Sequence, residues 1–161
     1  MSTHDILGAL GWGILSFAIA WLGSRFFPDD EWYQELSKPA WNPPSDVFAP
    51  VWAVLYLFMA TAAWLVWKQH GMMPALFPLG LYVAQLLLNA AWTWLFFGFH
   101  HIGLALLNVL VLWVLLLVTF FVFWDQSPLA GALLIPNLAW LAFAAALNAV
   151  IWQKNRSRAA A

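Results

Sequence analysis

Five apolar runs dominate the sequence, at residues 6–27, 47–67, 75–97, 102–124 and 129–152. Each is close to the ~20 residues that a helix needs to cross a bilayer. Backbone polar groups in lipid must be satisfied within their own segment, so such runs fold as helices; the alternation of a membrane-barrel strand is absent. The later connections, at 68–74, 98–101 and 125–128, are short, which makes successive helices antiparallel neighbours. The expected fold is all-α, an integral-membrane bundle of five transmembrane helices. It forms a single membrane domain over residues 1–161, with a loop at 28–46 and a basic tail at 153–161. Composition points the same way, since 8% of residues are charged against about 25% in a soluble domain. The first run has no basic n-region and no small-residue cleavage site, so it is expected to be a retained helix rather than a signal peptide.

Charge and composition exclude several functions. A net charge of −1 gives no basic footprint for nucleic acid. Without cysteine there is no disulfide, thiolate nucleophile or Cys-based metal site, and the redox compartment cannot be read. No P-loop, HExxH or GxSxG occurs, and no carboxylate lies within a run to relay protons. All four histidines (His4, His70, His100, His101) lie outside the runs, so no intramembrane pair is available for a haem iron. No internal repeat suggests an inverted-repeat transporter. Of the six Lys and Arg residues, Arg25, Lys38, Lys154, Arg156 and Arg158 fall on one side and Lys68 on the other. The positive-inside rule then puts the long loop and the C-terminus in the cytoplasm. The lack of cysteine and signal peptide suits a bacterial membrane, inner or outer.

The loop is the one long polar interruption. Residues 29–52 hold five of the seven acidic residues together with Trp32, Tyr33, Trp41 and Trp52, and Pro39, Pro43, Pro44 and Pro50. Pro43 and Pro44 fix their own φ and push Asn42 out of the α region, so this segment is not one helix. Its density of indole rings is read as an ordered lid at the mouth of the bundle.

Inside the runs, polar residues fall on particular faces. In the first, Ser16, Ala20 and Ser24 form a small-residue stripe that permits close helix approach. Trp52, Tyr56 and Met59 step along the second as either a core stripe or a ligand face. Tyr82, Gln85, Asn89, Trp92 and Phe96 form one seam on the third. Its two amides cannot face lipid, so they either bond neighbouring helices or line a pocket. Gly80 and Ala84 make a small-xxx-small pair for a homodimer contact or for internal packing. Asn108 is the conspicuous polar residue of the fourth run. On the fifth, Asn137, Trp140, Ala144 and Asn148 share a face with room for something flat, and Pro136 is expected to kink that helix. With 13 Trp, 13 Phe and 3 Tyr, such an interior suits a large planar apolar ligand stacked on indoles and oriented by a few polar contacts.

Several motifs then resemble one family. Trp32-Tyr33, Lys38-Pro39, Trp41-Asn42-Pro43-Pro44 and Trp52 are similar to the first loop of the translocator protein (TspO, tryptophan-rich sensory protein) family. Pro78-Leu79-Gly80-Leu81-Tyr82, Gln85-Leu86, Asn89, Trp92 and Phe96-Phe97-Gly98 resemble its third helix. Pro136, Leu138 to Ala144 and Leu147-Asn148 resemble its fifth, and Gly23-Ser24-Arg25-Phe26 and Val66-Trp67-Lys68 also match. The similarity covers nearly the whole chain.

The resemblance implies a five-helix, commonly dimeric membrane protein that binds porphyrins such as protoporphyrin IX, or haem, along with sterols and isoquinoline-type ligands. It requires no cofactor and takes membrane lipid as its surroundings. Carried over by motif, the pocket includes Ser24, Phe27, Phe48, Ala49, Val51, Trp52, Asn89, Trp140, Ala144 and Leu147, to which the seams above add Trp32, Trp41, Asn42, Tyr56, Gln85, Trp92, Asn108 and Asn137. Some bacterial members are credited with light-dependent porphyrin breakdown at tryptophans matching Trp52 and Trp140. Those two are the only catalytic candidates. The chain departs from the family in places. Asn137 stands where the family has Tyr, and Ala149 where the sterol-recognition pattern wants Tyr. Leu104 replaces a tryptophan of animal members, opening that side of the pocket, and Asn108 replaces an acid. Three functions follow: a sensor or carrier for tetrapyrroles, a porphyrin-degrading enzyme, or a regulatory scaffold whose aromatics only pack.

Overall fold

The structure, a computed structural model, describes residues 2–25 and 31–159, with side chains as far as Arg156. Six α-helices make up the described chain: α1 (Thr3–Gly23), α2 (Glu31–Glu35), α3 (Ser45–His70), α4 (Leu76–Thr93), α5 (Ile102–Gln126) and α6 (Pro128–Ala159). One π-helical turn, Trp94–Gly98, extends α4. Five of these helices are long and apolar enough to cross a membrane, so the protein is an integral, multi-pass membrane protein. α2 belongs to the first loop.

Local chemistry sets the helix ends. α1 begins with a capping box, in which Ser2 and Asp5 each accept the other's backbone N–H. The same end is fastened to the end of α3. Trp64 donates to the Asp5 carbonyl at 2.9 Å, Lys68 pairs with Asp5 at 3.4 Å, and His4 stacks on Trp67. α3 stops at Gly71, whose φ of 75° is a left-handed conformation that glycine adopts without strain. α6 runs unbroken through Pro136, and residues 153–159 continue it rather than forming a separate tail. Trp152 and Asn155 explain the extension, because helical spacing keeps packing contacts going past the apolar run.

The long helices close a ring. α1 packs on α3, α3 on α6, α6 on α5, α5 on α4, and α4 back on α1. Short connections alone would make every successive pair neighbours, and here the structure differs: α3 and α4 flank α1 on opposite sides. The connection at 71–75 can bridge them because five residues reach roughly 16 Å. Specific contacts hold α1 between them. Ser16 shares a 2.6 Å hydrogen bond with the Tyr82 hydroxyl on α4, and a Cβ on Gly23 would lie 3.4 Å from the Ala90 Cα. The close-approach stripe of α1 therefore runs through Ser16 and Gly23, both buried, while Ser24 is exposed.

Candidate functional site

Two cavities lie at the loop end of the ring. The larger, about 280 Å³, is lined from α1 by Phe17, Ala20, Trp21, Gly23 and Ser24, and from α3 by Phe48, Ala49, Trp52, Ala53 and Tyr56. Asn89, Trp92, Thr93 and Phe97 complete it from α4 and the π turn. Exposed Phe17, Trp21, Ala49 and Ala53 form its rim, so it opens sideways between α1 and α3. The smaller, about 20 Å³, lies against α6 and is lined by Trp140, Phe143, Ala144, Leu147, Asn148 and Ile151 with Tyr33 from the loop. Phe48, Trp92 and Phe97 border both, and Phe96 borders the smaller. These three rings are thus a wall dividing one aromatic interior into two compartments. Trp52 and Trp140 meet edge to face at 6.4 Å, and Phe48 meets Trp140 at 6.0 Å.

The wall owes its form to the π turn. Phe99 N–H donates to the Trp94 carbonyl five residues back, which inserts an extra residue into the turn. Both Phe96 and Phe97 are consequently buried, where consecutive residues of an α-helix point about 100° apart. Trp92 is fixed from behind: its Nε1 donates to Asn148 Oδ1 at 3.1 Å, and Asn148 Nδ2 donates to the Ile102 carbonyl. One buried amide therefore ties α4, α5 and α6 together beside the smaller cavity.

Asn89 lines the larger cavity together with the hydroxyl-bearing Ser24, Tyr56 and Thr93. Asn89 is 2% exposed, and its Nδ2 has no hydrogen-bond partner in the protein. A buried donor left unmet in this way costs about 1–3 kcal/mol. A ligand oxygen placed there would remove that cost.

The loop covers this end. Tyr33 is buried and packs edge-on to Phe96 and Phe97, and its hydroxyl donates to Asn42 Oδ1 at 3.1 Å. Burial pushes the Tyr33 hydroxyl above its ordinary range, so it remains a donor throughout neutral pH. Lys38 donates to the carbonyls of Tyr33 and Gln34 and lies over the Tyr33 ring, and burial pulls its ammonium downward. Trp32 stacks on His100 at 4.0 Å. His100 takes a φ of 59°, a left-handed conformation unusual for a side-chain-bearing residue. Trp41 is exposed and meets Phe143 edge-on at 5.7 Å.

Not every expected site residue reaches the cavities. Gln85 and Asn137 are fully buried, but they face each other across Met59, both donating to its Sδ at 3.5 and 2.9 Å. Of the two alternatives for such amides, these join helices; they line neither cavity. Asn108 and Leu104 also lie away from it. The inward face of α5 is Ala105, Val109, Leu112 and Leu116, so Leu104 is 54% exposed on the outer surface, and its small size opens nothing. Val51 is half-buried and lines neither cavity. Phe27 lies outside the described residues. Gly80 is exposed and Ala84 half-buried. Residues missed at the sequence level include Phe17, Trp21, Thr93 and Phe143. Phe17, Trp21 and Ser24 do recur at four and three residues, a helical signal on the first run. Among the described residues no group of three His, Asp or Glu side chains could hold a metal.

Comparison with known proteins covers nearly the whole chain. The sequence model of the TspO/MBR family matches residues 12–153. The chain is 42% identical over 151 residues to the human translocator protein, covering 91% of this chain and 89% of that one. It is 36% identical over 147 residues to the tryptophan-rich protein TspO of Chlorobaculum tepidum, covering 88% and 91%. It is 40% identical over 129 residues to the tryptophan-rich sensory protein of Cereibacter sphaeroides, covering 80% of each.

Proposed function

We propose, for a chain that belongs to the TspO/MBR family, a membrane receptor, sensor or carrier that binds flat hydrophobic molecules beneath its first loop. Porphyrins, with protoporphyrin IX or haem as the type, are the preferred class, and sterols and isoquinoline-type compounds are further ligands. The protein works as a homodimer in the membrane.

The observation that carries this reading is an aromatic cavity lined by Asn89, whose buried Nδ2 has no partner in the protein. Indole and phenyl faces contribute area and stacking to a planar guest, and one buried amide donor receives an oxygen of its carboxylate or carbonyl. At 280 Å³ the larger cavity is at the lower edge of the ~300–1,000 Å³ typical of small-molecule pockets. A tetrapyrrole would need the adjoining compartment too. The dividing rings Phe48 and Phe97 would turn to join the two beside the fixed Trp92, bringing Trp140, Ala144 and Leu147 into contact with the ligand.

Titration of the detergent-solubilised protein with protoporphyrin IX tests this, read by quenching of tryptophan fluorescence. Saturable quenching with Kd below ~100 μM, or about −5.5 kcal/mol, is expected. Asn89→Leu should weaken binding about tenfold, the loss of one hydrogen bond to a carboxylate, and leave the melting temperature unchanged or raised. Absence of quenching in that range would sink the reading.

A further inference from the structure

The last turns of α6 carry one buried polar residue among residues 152–156. Asn155 is 3% exposed, whereas Trp152, Gln153, Lys154 and Arg156 are all exposed. Its carboxamide pairs with the backbone of Ser37 in both directions: Oδ1 accepts the Ser37 N–H at 3.1 Å, and Nδ2 donates to the Ser37 carbonyl at 3.0 Å. Nδ2 also donates to the Ile151 carbonyl at 2.8 Å, which fixes the side chain against its own helix. The side chain thus meets the loop as a neighbouring strand would, across 118 residues of sequence.

Position gives this contact its consequence. Ile151, one turn earlier, lines the smaller cavity, and so does Tyr33, four residues before Ser37. Leu36, beside Ser37, is buried. The hydrogen bonds from Tyr33 to Asn42 and from Lys38 to Tyr33 and Gln34 lie within the loop itself. Asn155 instead joins the loop to the helical ring.

We propose that Asn155 is a positioning residue, a latch that holds the first loop down over the site and sets how fast ligand leaves. This rests on the reading of the site given above. The energetics suit a latch rather than a core bond. Ser37 is exposed, so when the pairing breaks its N–H and C=O find water, and release costs only the net value of the bonds. The loop can therefore lift while the bundle stays folded. Trp92 and Asn148, by contrast, have no water to turn to when parted.

The test compares the wild type with Asn155→Ala and Asn155→Asp, following protoporphyrin IX release by stopped-flow recovery of tryptophan fluorescence and backbone hydrogen exchange in parallel. Asp keeps an acceptor for the Ser37 N–H but cannot donate to its carbonyl. Release should quicken about tenfold in the alanine variant, as expected for losing one net hydrogen bond, and by an intermediate factor in the aspartate variant. Amides of residues 31–43 should exchange faster in both, and those of α3, α4 and α5 should not change. Loop amides as protected as in the wild type would overturn the latch, and so would a loosened loop with release within twofold of wild type. If the alanine variant misfolds, the aspartate variant decides. A wild-type protein that takes up no porphyrin defeats the reading of the site instead, and loop exchange alone then decides the latch.

Discussion

Individual amides in this protein take different roles according to what surrounds them. Asn89, Gln85, Asn137, Asn148 and Asn155 are all buried, yet their partners differ. Asn148 is saturated on both ends by Trp92 and the Ile102 carbonyl. Asn148→Ala should therefore be costly, because it leaves the buried Trp92 indole N–H unmet. The expected loss is about 1–3 kcal/mol for the orphaned group, seen as a lower melting temperature in detergent by circular dichroism. Asn89→Leu, removing a donor that has no protein partner, should cost no stability. A drop equal to that of the Asn148 variant would show that Asn89 is a packing residue. Spacing in the sequence put Gln85, Asn89, Asn137 and Asn148 on inward faces and left Asn155 in the tail, but spacing cannot tell a satisfied amide from an open one. That depends on whether another helix brings an acceptor within reach.

Among the elements, close contact of α5 and α6 fixes the far side of the ring. A Cβ on Gly131 would lie 2.8 Å from the Trp124 Cα and 2.9 Å from its Cβ. Backbone cannot swing aside as a side-chain tip can, so Gly131→Ala must push α6 from α5. About 1–3 kcal/mol of destabilisation is expected from such overpacking, again read by thermal unfolding. Gly8→Ala is the control: its Cβ would meet the ring of Trp67, a side chain able to shift, so the milder effect belongs there. The π turn is the other decisive element. Nothing in Trp94–Gly98 announces a wider turn by residue type, since hydrogen-bond slippage at a helix end reflects the packing of Phe96 and Phe97 beneath Tyr33.

At the scale of the molecule, a Cβ on Gly80 would meet no atom within 4 Å, and Gly80 lies on the exposed face of α4. Gly80→Leu should leave the monomer's melting temperature intact yet shift the proposed homodimer toward monomer, measured by light scattering of the detergent complex. An unchanged dimer would move the interface off this face. How much of this was legible beforehand divides by physical cause. Five spans, an all-helical fold and family membership follow from the chain itself, because the bilayer demands long apolar segments with internally satisfied backbones. Ser24, Phe48, Ala49, Trp52, Tyr56, Asn89 and Trp92 were readable as a group from spacing and motif, and they meet around one cavity. The order of helices around the ring was not, since a short loop joins α3 to α4 while α1 packs more closely on each than they do on one another. Nor was the donation of Gln85 and Asn137 to Met59, the outward turn of Leu104, or the grip of Asn155 on Ser37. Each of these depends on which side chain a distant helix places opposite, and only the folded ring decides that.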